Sequence, residues 1–228
     1  MTVKKNQRAF TLSHFKLLIR GALLLWAITI EAFSQDLLQQ DVFMSIVWLV
    51  MAIDVILKLF PLKYESMGSQ KQFAKNYAPV KDVVKAKVAS GKRVLIVALL
   101  WIILNAVIAH LYFKNVIDAG IMVIISLFYS VCDMICILFY CPFQHILGNK
   151  CCNTCRIYNW DYLMMFTPLM FIGNGVATML VILSVVVLVR WEYTVWRYPQ
   201  RFCESTNANL KCANCKETRC TNKGMKRT

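Results

Sequence analysis

Ten cysteines stand in a chain of 228 residues, and eight of them fall in two polar clusters. The first is Cys141, followed at once by Pro142, then Cys151, Cys152 and Cys155, in the string CPFQHILGNKCCNTC. The second is Cys203, Cys212, Cys215 and Cys220, in CESTNANLKCANCKETRC. Each cluster holds a C-x2-C pair, Cys152/Cys155 and Cys212/Cys215, a spacing that lets two thiolates of one tight turn reach the same metal at about 2.3 Å. Four convergent thiolates predict tetrahedral zinc, with the tail folded back onto the loop. Eight suffice for two metal sites or for iron–sulfur clusters, toward which Cys141-Pro142 and the extra Cys220 lean, although neither string matches a ferredoxin run. Soft thiolate ligands disfavour magnesium, calcium and manganese. Two other chemistries stay open: disulfides, if the tail lies in an oxidising compartment, and lipidation or inert thiols, above all at Cys141, Cys151 and Cys152. His145 is a further candidate ligand. Cys132 and Cys136, one helical turn apart in an apolar stretch, read as small packing residues.

A second set of residues is notable for where it lies. Arg20, Asp54 and Asp133 interrupt otherwise apolar stretches, and ionisable groups in such places are costly and therefore functional candidates. Asp54 and Asp133 each stand about eight residues, roughly 12 Å, from one end of their stretches, so they share a depth, and Arg20 enters from that same side. The packing reading is an interhelical ion pair. The functional reading is a proton or cation path, because two carboxylates at one depth disfavour joint ionisation. Glu31 and His110 approach a common level near the opposite end, with Asn105 deeper.

The elements that must position these groups follow from hydropathy. The chain is 58% hydrophobic and only 17% charged, with mean hydropathy +0.53, a balance foreign to a soluble globular domain or a disordered chain. A hydrocarbon core of roughly 30 Å needs about 20 helical residues. Four stretches qualify, at about 15–33, 42–62, 94–113 and 119–140. Each is apolar all round, which excludes a barrel strand and leaves the helix as the way to satisfy the backbone in lipid. The first is shortened by Arg20 and Glu31, and nothing after it resembles a signal-peptide cleavage site. A fifth stretch, 162–189, makes roughly 42 Å of helix, longer than one untilted crossing. It contains Pro168 and the turn signal Gly173-Asn174-Gly175, so it is either one kinked helix or a hairpin with arms at 160–172 and 176–191.

Positive charge arbitrates between the two. Of the 26 Lys and Arg, a hairpin places 25 on the side of the N-terminus and one opposite, whereas a single crossing splits them 16 to 10. The positive-inside rule therefore favours the hairpin, with both termini cytoplasmic. Aromatic belts at Tyr158, Trp160 and Tyr162 and at Trp191, Tyr193, Trp196 and Tyr198 suit two feet of a hairpin standing at one interface.

The expected architecture is thus an all-α, polytopic helical membrane bundle. A membrane domain occupies 1–140, with a basic connector at 63–93. There follow a Cys-rich loop at 141–161, a terminal span or hairpin at 162–191, and a basic Cys-rich tail at 192–228. In the connector, Val80, Val83, Val84 and Val88 share a helical face flanked by Lys81, Lys85 and Lys87. That pattern reads either as an amphipathic helix on the anionic inner leaflet or as a solvated linker. Nucleic acid is not implied by the net charge of +14, which sits in membrane-flanking segments without a recognition module. No phosphate-cradling glycine motif, Ser-His-Asp set or H-E-x-x-H motif appears, which argues against an ATPase or hydrolase. Two functions follow: a multi-pass cell-membrane protein whose thiolate metal site orders a partner-binding face or carries electrons, or a small proton- or cation-coupled transporter built on Arg20, Asp54 and Asp133.

Overall fold

The computed structural model describes residues 4–33, 41–63, 65–80, 88 and 91–214, with side chains from Ser13 onward. Among them the secondary structure is helical throughout, and the lone β feature is an isolated bridge between Pro79 and Asn207. The helices of the first half are α1 (Lys4–Ala32), α2 (Asp41–Lys58), the single turn α3 (Met67–Gln70) and α4 (Gly91–Phe113). The second half holds α5 (Ala119–Leu138), the short α6 (Phe143–Leu147), α7 (Asp161–Phe166) and α8 (Gly175–Arg197).

Three described helices are long and apolar enough to cross a membrane: α4, α5 and α8, with mean hydropathies of 2.6, 2.4 and 1.9. This differs from the four spans that hydropathy along the chain suggests. The first two stretches are helices, but Lys16, Arg20 and Glu31 interrupt α1, and Asp41, Asp54 and Lys58 lie within the 18 residues of α2. In their place α8, drawn from the fifth stretch, reaches full length.

That fifth stretch breaks where its turn signal stands. The helix α7 tightens into a 3-10 segment at Thr167–Phe171, which Pro168 opens because its missing N–H leaves no partner wanting in a first turn. Gly173 then takes φ +71°, a left-handed conformation that costs a glycine nothing. Asn174 caps the next helix, its Oδ1 accepting the Val176 amide at 2.9 Å. The chain reverses there, so that Trp160 donates to Glu192 at 2.6 Å and Trp191 donates to the Arg156 carbonyl at 2.8 Å. The arms are unequal, and α8 stays helical through Trp196 to Arg197, beyond the boundary at 191 that the aromatic belt suggests.

Packing follows the buried stripes. Leu23, Ala27 and Ile30 of α1 face α5, while Phe43, Val47, Met51 and Val55 of α2 face α8. Ala27, Ala177 and Ser184 are buried at the contacts, and their small side chains let the backbones approach closely. The outer faces are apolar as well: Leu25, Leu49, Ile53, Leu99, Ile102, Ile103 and Val189 are exposed, and Trp196 is 78% exposed. So continuous an exposed apolar surface does not suit water and does suit lipid.

At one end of the bundle, three polar segments fold onto each other. The tail pairs with residues 66–80 through the Ala208 amide to the Ala78 carbonyl at 2.7 Å and the Val80 amide to the Thr206 carbonyl at 3.2 Å. The loop at 141–160 joins through Ser66 and Tyr158, whose hydroxyls are 2.7 Å apart. Gly68 is required there, because a Cβ at that position would stand 2.4 Å from the Tyr158 ring. The amphipathic stretch around Lys81, Lys85 and Lys87 lies outside the described residues.

Candidate functional site

The charged residues ride on the same helical stripes as the core. On α1, Lys16 and Arg20 precede Leu23 and Ala27 at spacings of three and four; on α2, Asp54 and Lys58 follow Val47 and Met51; on α5, Asp133 follows Ser126 and Ser130. Helix packing that buries the apolar residues must therefore bury these charges with them.

Arg20 is at the centre, with 2% of its side chain exposed. It donates through Nη2 to Asp54 at 2.6 Å, and through Nη1 to Asp133 at 3.3 Å and to the Ser130 carbonyl at 2.9 Å. Its Nε has no hydrogen-bond partner among the described residues. Lys16 bridges Asp54 at 3.0 Å and Glu65 at 2.9 Å, and Lys58 holds the other oxygen of Glu65 at 2.9 Å. The Lys58 ammonium also stands 5.6 Å from the Tyr158 ring centre and 5.7 Å from that of Tyr162, within cation–π range. Burial pushes the Glu65 carboxyl up, but the two lysines outweigh it and carry the group down to about 2. These groups surround a cavity of about 30 Å³, room for a single water, lined in part by Ser13, Lys16, Lys58, Glu65, Ser66 and Tyr158.

Among the described residues, Lys16, Arg20 and Lys58 form ion pairs with Asp54, Glu65 and Asp133, and Asp161 at the start of α7 lies within electrostatic reach of Lys58, Arg20 and Asp133.

The structure thus brings Arg20, Asp54 and Asp133 together and adds Lys16, Lys58, Glu65, Ser66, Tyr158 and Asp161. Lys16 stands four residues before Arg20 and Lys58 four after Asp54, a spacing that marks a shared face. Glu65 and Ser66 lie in a connector, where no periodicity identifies them. Glu31 is at the opposite end, against Gly120 in the first turn of α5. Asn105 donates to the Trp101 carbonyl of its own helix at 3.0 Å.

Of the eight cysteines in the two clusters, six lie within the described residues. Among the described residues, no group of three or more His, Cys, Asp or Glu side chains is placed to hold a metal, so neither zinc nor an iron–sulfur cluster finds support there. Cys152 Sγ lies 3.6 Å from the Cys136 carbonyl and 3.6 Å from Gln144 Nε2, and Cys151 Sγ is 3.9 Å from Thr154 Oγ1. Cys203 Sγ stands 3.0 Å from Ser205 Oγ, Cys141 and Cys155 are buried, and Cys212 is half-buried. Cys215 and Cys220 lie outside the described residues. His145 stands beside the Tyr140 ring, 5.9 Å between centres.

What fills the space beneath the Cys152–Cys155 turn is a lysine. Lys71 is fully buried and donates to the carbonyls of Asn153 at 2.9 Å and Cys155 at 2.6 Å. Its ammonium lies 5.3 Å from the Trp191 ring centre and 5.5 Å from that of Phe202. Burial holds this amine down at about 8, against the opposing pull of the nearby thiols. Burial also lifts Cys152 to about 12 and Cys155 to about 11. Comparisons of this chain with protein families, with curated proteins and with solved structures find no match.

Proposed function

We propose that this is a multi-pass protein of the cell membrane whose buried charge cluster binds and releases a proton, as the coupling site of a small transporter. The observation that carries the reading is Arg20 shared between Asp54 and Asp133 beside a water-sized cavity. Three resident cations disfavour a metal or sodium ion in the same space, which narrows the path to protons. The exposed apolar faces of all five long helices support a bundle set in lipid, with α1 and α2 tolerated there because Lys16, Arg20, Asp54 and Lys58 are paired within the bundle. The polar segments that gather at one end carry Lys71, Lys75, Lys150, Arg156, Arg201 and Lys211, and this supports placing that end in the cytoplasm against the anionic inner leaflet.

The test is proton entry into vesicles that contain the purified protein, read by an internal pH dye after acidification outside with potassium and valinomycin clamping the potential. Infrared difference spectra of the same vesicles report whether a carboxyl is protonated at neutral pH. The expected result is protein-dependent entry that falls at least tenfold in Asp133→Asn, together with one protonated carboxyl in the wild type. Wild-type vesicles that behave like empty ones and show no protonated carboxyl would leave the cluster as packing alone.

A further inference from the structure

At the foot of the seam between α2 and α8, cations gather where the uncharged part of α8 ends. From Gly175 to Val189 that helix carries no charge, and Arg190 is its first. The Arg190 Nη1 donates across the seam to the Leu59 carbonyl at 2.6 Å, just past the end of α2, and the guanidinium carbon stands 4.9 Å from the Phe73 ring centre. Lys75 is exposed and donates to the Pro61 carbonyl at 2.6 Å, two residues along from Leu59. These two cations make one pair. The other pair flanks Tyr198, with the guanidinium carbons of Arg197 and Arg201 at 5.5 and 4.0 Å from that ring's centre. Arg201 Nη1 also donates to the Gln72 carbonyl at 3.1 Å, which ties this pair to the first through the neighbouring Phe73.

Carboxylates do not answer these charges. Among the described residues Lys75, Arg190, Arg197 and Arg201 enter no ion pair, since Glu192 is turned to Arg156 and Trp160 and Glu204 to Lys150. The partners they do have are neutral carbonyls and rings, and an ammonium with three donors or a guanidinium with five keeps N–H groups to spare. Exposed apolar side chains border the site: Ile56 and Phe60 at the end of α2, and Val186 one turn before Arg190. Tyr193 and Trp196, exposed between Arg190 and Arg197, are the residue types that stand at a membrane interface.

We infer that Lys75, Arg190, Arg197 and Arg201 bind the headgroup of an anionic phospholipid carrying two phosphates, whose acyl chains lie along the outer seam of α2 and α8. Two pairs of cations without carboxylates match two phosphate groups held in one molecule, and a guanidinium fork meets phosphate oxygens two at a time. Basic pockets between spanning helices on the cytoplasmic side are suited to such headgroups. A soluble diphosphate would leave Ile56, Phe60 and Val186 bare, which is why the lipid is the better occupant. The inference rests on the bundle being set in lipid with this end at the inner leaflet, and takes nothing from proton exchange at Arg20.

The full chain in zwitterionic mixed micelles is titrated with cardiolipin, with twice as much phosphatidylglycerol to match its charge, and with the deacylated cardiolipin headgroup. Native mass spectrometry counts what is bound. The expected result is one cardiolipin per chain, held at least tenfold more tightly than phosphatidylglycerol or the bare headgroup. Arg197→Gln with Arg201→Gln is expected to weaken cardiolipin at least tenfold. Lys92→Gln with Lys150→Gln removes the same charge elsewhere at that end and is expected to weaken it less than about twofold. Equal binding of phosphatidylglycerol, a headgroup as tight as the lipid, or equal losses in the two double variants would each overturn the assignment. The wild-type comparison needs no variant, so a misfolded mutant leaves the test intact. Micelles hold no proton gradient, so this result stands apart from proton entry into vesicles.

Discussion

Replacing Arg20 by Met removes the cation that two carboxylates share while keeping most of the apolar stem. The consequences for its partners differ. Asp54 keeps Lys16 at 3.0 Å, but Asp133, whose side chain is 18% exposed, loses the cation with which it forms its salt bridge among the described residues. Breaking a buried pair by deleting one partner costs about 3–5 kcal/mol, because the remaining charge is stranded rather than because the pair is strong. For a chain of this size that corresponds to a fall of roughly 6–20 °C in unfolding midpoint. The same logic predicts rescue. In Arg20→Met with Asp133→Asn the stranded charge is gone, and the double variant is expected to recover about 1–3 kcal/mol relative to the sum of the single changes. Equilibrium unfolding in mixed detergent micelles, followed by tryptophan fluorescence across the four-member cycle, measures this coupling. An Arg20→Met protein within about 1 kcal/mol of wild type, or a double variant that costs the full sum, would refute the account of Arg20 as the shared counter-ion.

Two further variants report on the polar end of the molecule. Glu65 falls from an ordinary 4.5 to about 2 on folding, so its contribution is complete above pH 4.5 and lost as pH drops toward 2. The wild type is expected to lose on the order of 3 kcal/mol across that window, and Glu65→Gln to lack this part of the acid limb in a pH series of unfolding curves. Lys71→Met leaves the Asn153 and Cys155 carbonyls without their donor, at about 1–3 kcal/mol each, and hydrogen exchange should accelerate at residues 151–157. Because Lys71 titrates at about 8 when folded and 10.5 when unfolded, the native state holds fewer protons between these values. Wild-type stability should therefore rise across that interval, and the Met variant should lack the rise.

How far such features can be read from the chain depends on whether they are local. Arg20, Asp54 and Asp133 are legible because a charge inside an apolar helix needs a partner wherever that helix packs, and matched depth already narrows the choice. The hairpin is legible because Gly173 and Asn174 supply a positive φ and a cap to any helix that follows them. Glu65 and Lys71 are not legible. One lies in a connector and the other between short turns, and their roles exist only because α1, the loop at 141–160 and α8 meet around them. Two C-x2-C pairs state what two turns can do, while convergence depends on what packs beneath each turn. Beneath Cys152 and Cys155 there is a lysine ammonium.

Hydropathy, the placement of 26 positive charges and the turn at Gly173 are properties of the chain read along its length, and from them alone come a helical membrane protein and a reversal in its last third. Helix register belongs to the tertiary structure. Only when α1, α2 and α5 bury their small and apolar stripes do Lys16, Arg20, Lys58, Glu65 and the aspartates come within 2.6–3.3 Å of one another. The end of α5 was decided in the same way. A wide last turn closes that helix, with the Phe139 and Tyr140 amides both directed at the Ile135 carbonyl.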